Sequence, residues 1–190
     1  YSKDNFEAAS RSTDRLIDKV TSSQDKLKST IAKDVMLLVN EFNRYDLLKA
    51  ENQILLQEVK EAFKGYNRLP VLSQDGVPKY ILHESLLNLF ITDFFMGKYD
   101  GNLTKDASTR NTDFPKLTFD KFLQIDTISI KVKSGFVIAR QDDNLASIKR
   151  KMDAVKNTLC SDVFITTDGT VNGKLIGWLT NAIILEHSKV

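Results

Sequence analysis

Val163-Phe164-Ile165 and Leu175-Ile176-Gly177-Trp178-Leu179 are two short apolar runs near the C-terminus, and Asp168-Gly169 opens a turn in the polar stretch between them. Short apolar runs that are bounded by turn residues are typical of buried strands. An Asp-Gly pair provides the positive backbone φ that a tight turn requires. This stretch therefore predicts two strands joined by a turn.

Helical patterns lie on both sides of these strands. Leu145, Ile148, Met152 and Val155 follow one another at spacings of three, four and three residues, which is the period of a helix with one apolar face. Asn181 to Glu186 is predicted to start the last helix, and Phe136-Val137-Ile138-Ala139 is predicted to be a strand that leads into the unit. The predicted order is strand, helix, strand, turn, strand and helix.

The same order occurs earlier in the chain. A helical apolar stripe over residues 55–63 precedes the run Leu69-Pro70-Val71-Leu72, and Asp75-Gly76 opens a turn before the strand Tyr80-Ile81-Leu82. A helix is then predicted from Glu84 to Phe95. Two occurrences of one order indicate an internal duplication.

The duplication divides the chain into four predicted parts. Residues 1–30 form an N-terminal helical extension, 31–97 the first copy, 98–127 a polar linker with a short helix, and 128–190 the second copy. Within the first copy, Leu47-Leu48-Lys49-Ala50 is the weaker counterpart of the lead-in strand.

The segments outside the two copies have their own patterns. Residues 5–20 have the apolar spacing of an amphipathic helix, and residues 21–29 are either a connector or a second, weakly apolar helical turn. Residues 98–114 are rich in Asp, Asn, Thr, Ser and Gly and predict an exposed loop. A short helix is predicted from Phe119 to Leu123.

The composition argues against several classes of function. The chain has 27 basic and 25 acidic residues without a Lys/Arg block, so nucleic-acid binding is not expected. Cys160 is the single cysteine, and His83 and His187 are the two histidines, so neither a disulfide framework nor a metal site is expected. Because no apolar stretch approaches the ~20 residues of a spanning helix, we expect a cytoplasmic location without membrane binding. The sequence begins at Tyr1, which is compatible with a piece of a longer protein.

These patterns resemble a tandem pair of cystathionine-β-synthase (CBS) domains. In that family one strand ends in an apolar triplet, and the strand after an Asp-Gly hairpin ends in Gly-apolar-apolar-Thr/Ser. Leu69-Pro70-Val71 and Val163-Phe164-Ile165 take the place of the triplet, and Ile176-Gly177-Trp178-Leu179-Thr180 is similar to the strand end. Lys33-Asp34-Val35-Met36 resembles the usual lead-in to a first copy. The resemblance implies an α/β (or α+β) fold of two small mixed sheets flanked by helices and related by a pseudo-twofold axis.

The resemblance also implies a ligand site in the cleft between the copies. In the family a Thr/Ser at the strand end bonds phosphate, and an Asp three residues later bonds the ribose. Thr180 stands at the Thr/Ser position of the second copy, and His83 stands there in the first, where Tyr80 replaces the glycine. Ile183 and Leu86 take the places of the Asp. Loss of its charge-assisted bonds predicts weaker nucleotide binding.

The candidate ligand-binding residues lie at the two strand ends and at the start of the last helix: Thr180, Asn181, Trp178, Gly177, His83 and Tyr80. Three of them have alternative interpretations. His83 is either a cap or surface residue or a donor to a phosphate. Thr180 either caps the last helix or bonds a phosphate at its N-terminus. Trp178 is either a core residue or a stacking platform for an adenine ring.

A regulatory function is therefore expected. The sequence has no phosphate-binding loop, dinucleotide fingerprint, nucleophile elbow or zinc-protease motif, so we expect no enzyme and assign neither catalytic nor metal-ligating residues. The resemblance implies a module that requires no cofactor, senses AMP, ADP, ATP, S-adenosylmethionine or a similar anionic metabolite, and signals to a partner protein or domain. It also implies a homodimer. The alternative is a ligand-free dimerisation and interaction scaffold.

Overall fold

The computed structural model describes residues 3–46, 54–155 and 160–189, with side chains from residue 10 onward. The helices are α1 (Lys3–Ser29), α2 (Leu56–Glu61), α3 (Glu84–Phe95), α4 (Arg110–Asp113), α5 (Phe119–Leu123), α6 (Asp126–Ser134), α7 (Leu145–Asp153) and α8 (Asn181–Glu186). The strands are β1 (Leu37–Leu38), β2 (Tyr45–Asp46), β3 (Arg68–Leu72), β4 (Pro78–His83), β5 (Phe136–Ala139), β6 (Asp162–Thr166) and β7 (Leu175–Thr180). Short 3₁₀ helices lie at Ala32–Asp34 and Phe114–Lys116.

Two sheets with the same internal topology form the fold. In one, β2 is parallel and β4 antiparallel to the central β3. In the other, β5 is parallel and β7 antiparallel to the central β6, and β1 adds a fourth strand beside β7. We call β2 to α3 the first unit and β5 to α8 the second unit. The predicted duplication into two small mixed sheets flanked by helices is confirmed.

The two units also share their hydrogen-bonding register. Arg68 lies opposite His83 in the first unit, and Asp162 lies opposite Thr180 in the second. Each ladder slips by one residue after its fourth pair, which is Val71 with Tyr80 in the first unit and Ile165 with Gly177 in the second. This common register makes Arg68 equivalent to Asp162, His83 to Thr180, and Tyr80 to Gly177.

The segment before the first unit packs against the second unit. The N–H of Ala32 donates to the carbonyl oxygen of Asp143 at 2.9 Å, and the N–H of Leu145 donates to that of Thr30 at 3.0 Å. Ala32 is fully buried in the second unit's core. Residues 31–38 thus precede the first unit in the sequence but pack against the second unit. The domain boundary placed at residue 31 stays a prediction.

Residues 3–29 form one continuous helix, so the alternative of a connector over residues 21–29 is wrong. The 27 residues of α1 extend about 40 Å at the helical rise per residue. Leu27 packs against the core of the second unit, whereas Leu16, Ile17 and Val20 are exposed. None of the helices in the described part of the chain is long and apolar enough to cross a membrane.

The region between the units is more ordered than its composition predicts. Residues 98–114, predicted to be an exposed loop, include α4, and Arg110 forms an ion pair with Asp100. The predicted short helix from Phe119 to Leu123 is confirmed as α5.

Helix α6 is absent from the sequence prediction. Its buried residues are Ile128 and Val132, and this apolar face is too narrow to distinguish by its period alone. The helix packs against β4 of the first unit, although the predicted boundaries assign most of it to the second copy. The predicted lead-in strand Leu47-Leu48-Lys49-Ala50 lies outside the described residues, and β2 just before it pairs in parallel with β3.

Candidate functional site

The two units meet through β3 and β4 on one side and β6 and β7 on the other, and we call this contact the seam. Its apolar part is one buried cluster that draws residues from both sheets and from the segment before β2: Phe42, Leu72, Ile81, Phe164, Leu175 and Trp178. One backbone hydrogen bond also crosses the seam, from the N–H of Leu175 to the carbonyl oxygen of Gly76 at 2.9 Å. The seam therefore fixes the position of the strand ends that carry the candidate residues.

A buried carboxylate lies at the seam. Asp162 begins β6 and has an exposed fraction of 0%. Its Oδ1 accepts hydrogen bonds from Nη1 of Arg68 at 3.1 Å and from Nε1 of Trp178 at 3.0 Å. Its Oδ2 accepts one from Oγ of Ser161 at 2.8 Å and lies 3.4 Å from Nε2 of His83. We call these five residues the Asp162 cluster, which joins two side chains of the first unit to the second unit.

The partners of Asp162 explain why a charge is tolerated there. A carboxylate removed from water is destabilising unless a counter-charge and hydrogen bonds compensate for its lost hydration. Arg68 supplies the counter-charge, and Trp178 and Ser161 supply neutral donors from the second unit. The side chains of Arg68 and His83 remain 30% and 32% exposed, so the cluster has an open side that faces solvent.

Thr180 ends β7 and precedes α8. Its Oγ1 accepts a hydrogen bond from the N–H of Ile183 at 3.3 Å, so the hydroxyl caps the helix. A hydroxyl that accepts this bond still has its own hydrogen to donate. Capping and phosphate contact are therefore compatible at Thr180.

Asn181 follows directly and is tied to the same region. Its N–H donates to the carbonyl oxygen of Ser161 at 2.9 Å. Its side-chain Oδ1 is buried and has no hydrogen-bond partner among the described residues. Because a buried acceptor without a donor is destabilising, this oxygen would gain from a ligand that supplies one.

Trp178 and Gly177 contact other parts of the chain. The Trp178 ring is buried and packs edge-on against Phe42, with ring centroids 5.2 Å apart, which is the core interpretation of this residue. A Cβ at Gly177 would overlap the sulfur of Met36 and would lie 3.2 Å from the carbonyl oxygen of Leu37. The glycine therefore allows β1 to approach β7.

The equivalent residues of the first unit have different surroundings. His83 precedes α3, and its side chain makes no capping hydrogen bond within the described residues; it faces Asp162 instead. Tyr80 is buried in the core of the first unit, with its ring edge-on to Phe119 at 5.6 Å between centroids. His83 thus lies at the seam, whereas Tyr80 lies away from it.

The structure brings some of the predicted residues together. Trp178 and His83 contact Asp162 directly, and Thr180 lies opposite Asp162 in the β6–β7 ladder. Asn181 joins this group through Ser161. Gly177 and Tyr80 contact β1 and Phe119, respectively, and face other parts of the fold.

The two positions at which the family has a ribose-binding Asp are occupied by packing residues. Ile183 packs against the core of the second unit. Leu86 lines a half-open cavity of about 230 Å³ between α3 and α6, together with Phe90, Tyr99 and Lys131. Neither residue offers an acceptor to a ribose.

Arg68 and Asp162 are functional candidates that the sequence analysis missed. When the two copies are aligned, Arg68-Leu69-Pro70-Val71 lies over Asp162-Val163-Phe164-Ile165, so opposite charges stand at one position. Charged residues directly before two buried triplets are the signal that could have identified them. Their mutual contact depends on how the two sheets pack.

Cys160 lies next to the cluster and is half-buried. Burial raises the pKa of its thiol, and Sγ donates to the carbonyl oxygen of Asp162 at 3.5 Å. A raised pKa lowers the fraction of reactive thiolate at neutral pH. Among the described side chains, which begin at residue 10, His, Cys, Asp and Glu form no group of three or more that could hold a metal ion.

Comparison with known proteins identifies the architecture. No protein-family model and no curated relative matches the chain. Its fold is similar to the CBS domain of a bacterial CNNM/CorC family Mg²⁺ transporter, with a TM-score of 0.57, 12% identity, and 99% and 96% of the two chains covered. A structure of such a domain in complex with ATP has a TM-score of 0.56 and 14% identity, with 91% of the present chain and 96% of that chain covered. A CBS domain-containing protein of unknown function from Kribbella flavida has a TM-score of 0.54 and 16% identity, with 83% of the present chain and 97% of that chain covered.

These similarities cover nearly the whole chain at low sequence identity, so they establish the fold. The chain has the fold of a tandem pair of CBS domains, as the resemblance in its sequence implies.

Proposed function

We propose that the chain is a regulatory module that binds an anionic metabolite, such as an adenine nucleotide, at the seam and signals its occupancy to a partner protein or domain. The observation that carries the proposal is the convergence of Arg68, His83 and Thr180 around Asp162. Arg68 and His83 come from the first unit and Thr180 from the second. A ligand held by all three would contact both units at once.

The chemistry of these groups suits a phosphate. A guanidinium has five N–H donors in a planar fork, and the bond to Asp162 uses one of them. The Thr180 hydroxyl can donate while it caps α8. A turn of the Asn181 side chain would expose its Oδ1, which is now buried and without a hydrogen-bond partner among the described residues, as an acceptor for a ribose hydroxyl in place of the carboxylate that is replaced by Ile183. Together these groups offer donors for an anion and one acceptor for a sugar.

The comparison supports the adenine version of the proposal. The transporter domain that was solved with ATP shares this fold over 91% of the present chain. The loss of the ribose Asp in both units favours weaker binding than a carboxylate would give, since each charge-assisted bond contributes roughly 1.5–3 kcal/mol.

The location of the site supports the signalling part of the proposal. A ligand that contacts both units favours the packing of one against the other in which all its contacts are satisfied. A partner that distinguishes two arrangements of the units would then be coupled to the ligand through the same free energy. No catalytic step is part of this proposal.

Calorimetry with AMP, ADP, ATP and S-adenosylmethionine tests the proposal. At least one should bind the wild-type protein, and Thr180→Ala should weaken that binding about tenfold or more through the lost hydrogen bond to phosphate. Thr118→Ala is the matched control, because Thr118 caps α5 in the same way, accepting from the N–H of Lys121 at 3.4 Å. Failure of all four compounds to bind would reject the adenine version.

A ligand-free scaffold is the second candidate, and a specific observation favours it. Asp162 already contacts both Arg68 and His83, so the buried carboxylate at the seam has its partners without a ligand. On this alternative the module only dimerises and docks a partner through its helices. Thr180→Ala and Thr118→Ala would then have the same effect, a loss of helix-cap stability.

Both candidates include a homodimer. Leu89 and Phe95 on α3 and Leu185 on α8 are large apolar residues with 53%, 40% and 50% of their surface exposed. Contact of these residues with a second copy of the chain would bury apolar surface that now faces water. Light scattering should give twice the chain mass for the wild type and a lower mass for Leu89→Lys.

A further inference from the structure

Asp162 places a negative charge within the site that is proposed to bind an anion. The carboxylate is fully buried, 3.1 Å from Nη1 of Arg68 and 3.4 Å from Nε2 of His83. These two side chains are also the ones that a phosphate at the open side of the cluster would contact. The internal carboxylate and an incoming phosphate therefore require the same partners.

The second unit holds this charge in place independently of the first. Trp178 and Ser161 both donate to the Asp162 carboxylate, at 3.0 Å and 2.8 Å, and neither belongs to the first unit. The carboxylate is thus retained when Arg68 or His83 turns towards another anion. Two negative charges a few ångströms apart in a buried environment repel strongly, because the effective dielectric is low.

We propose that Asp162 is an internal counter-ion that competes with the phosphate of an anionic ligand for Arg68 and His83, so that ligand binding exchanges these direct contacts between the two units for contacts through the ligand. This inference rests on the proposed function, since it assumes that an anion binds at the seam. Both contacts that the phosphate takes over cross from the first unit to the second. Asp162 therefore sets the affinity and also couples occupancy to the packing of the units.

Asp162→Asn is the direct test. Asparagine keeps the shape and an acceptor for the Trp178 indole, but it removes the charge that competes for Arg68. Calorimetry should show ATP and pyrophosphate binding about tenfold tighter or more to the variant than to the wild type, as expected when a competing charged hydrogen bond is removed. An equal gain for the two compounds assigns the effect to the phosphate rather than to adenine.

Asp153→Asn is the matched control. Asp153 lies in the same unit at the end of α7, is 61% exposed and pairs with Lys149 on the same helix. The Asp153→Asn substitution removes the same charge from the chain without changing the Asp162 cluster. ATP should bind this variant as it binds the wild type.

A second measurement uses the wild-type protein and does not depend on a variant that folds. Trp178 is the chain's one tryptophan, and its indole N–H donates to Asp162. When a phosphate draws Arg68 away, the charge on the acceptor is less compensated, and the indole N–H resonance should shift during a titration with ATP.

The outcomes separate this inference from the proposed function. Tighter binding to Asp162→Asn, or the indole shift in the wild type, supports the inference. If ATP binds the wild type and Arg68→Gln weakens it, but Asp162→Asn binds no tighter and the indole resonance stays fixed, the inference is wrong and the proposed function stands. If neither ATP nor pyrophosphate binds the wild type or Asp162→Asn, the proposed function fails and the inference fails with it.

Discussion

The two units have one topology and one register, yet they differ at the positions that meet at the seam. The first unit has Arg68 and His83 where the second has Asp162 and Thr180. Arg68 and Asp162 occupy equivalent positions and contact each other, which places them beside the pseudo-twofold axis. Two copies of one charged residue there would repel. Because the two units have opposite charges at this position, the contact between Arg68 and Asp162 is an attractive ion pair.

A second difference controls what packs against each sheet. Gly177 lets residues 36–38 approach β7, and the second sheet gains β1 as its fourth strand. Tyr80, at the equivalent position, fills its own space and packs against Phe119. The four-stranded sheet thus has a glycine at the position where the three-stranded sheet has a tyrosine.

The largest effect is expected from removal of the seam carboxylate. Asp162→Ala leaves Arg68 without its buried counter-charge and leaves the Trp178 indole without its acceptor. Each donor group left unsatisfied costs about 1–3 kcal/mol in the free energy of unfolding, and Asp162→Ala leaves two of them. Urea denaturation measures this cost, and Asp153→Ala should change it by less than about 1 kcal/mol because its ion pair is exposed. Equal effects of the two variants would show that the Asp162 cluster does not hold the units together.

Exchange of the glycine for the first unit's residue tests the second difference. In Gly177→Tyr the new side chain must displace Met36 and the backbone at Leu37, so β1 should detach from β7. Overpacking of this kind costs about 1–3 kcal/mol. Hydrogen exchange at Val39, whose N–H donates to the carbonyl oxygen of Ile176 at 3.3 Å, should accelerate. Unchanged protection at Val39 would show that the glycine is not what admits β1.

The helix caps of the two units give a smaller contrast. Thr180→Ala removes the side-chain bond to the N–H of Ile183 and should lower stability by about 1 kcal/mol. Faster hydrogen exchange of the Ile183 amide is the specific readout. His83→Ala should leave exchange at the start of α3 unchanged, since the His83 side chain caps no amide among the described residues. Equal acceleration at both helices would contradict this distinction.

The smallest expected effect concerns the reactivity of the Cys160 thiol, which lies just before β6 of the second unit. Burial raises the pKa of the Cys160 thiol, so less thiolate is present at pH 7.5 than for a free cysteine. Labelling with a disulfide reagent should therefore be slower than for glutathione at this pH and should accelerate as the pH rises. Asp162→Ala, which loosens the seam, should increase the rate; labelling of the wild type as fast as glutathione would contradict the burial.

The sequence alone was sufficient for the elements whose pattern is local. The strands around Val163-Phe164-Ile165, the Asp-Gly turns and the closing helices follow from short apolar runs, turn residues and helical spacing, and the structure has them. It also identified Thr180 and His83 as equivalent strand ends. Helix α6 and the role of β1 were not predictable, because their residues have little periodicity and gain their order from contacts with distant strands.

The tertiary structure alone decided the chemistry of the seam. Arg68 and Asp162 are 94 positions apart, and nothing in their local sequence states that one will neutralise the other. The pseudo-twofold packing of two sheets brings equivalent positions into contact, so a residue's partner is set by symmetry rather than by spacing. Periodicity reports which face of an element is buried; only the packing of one sheet against the other determines which charges share that burial.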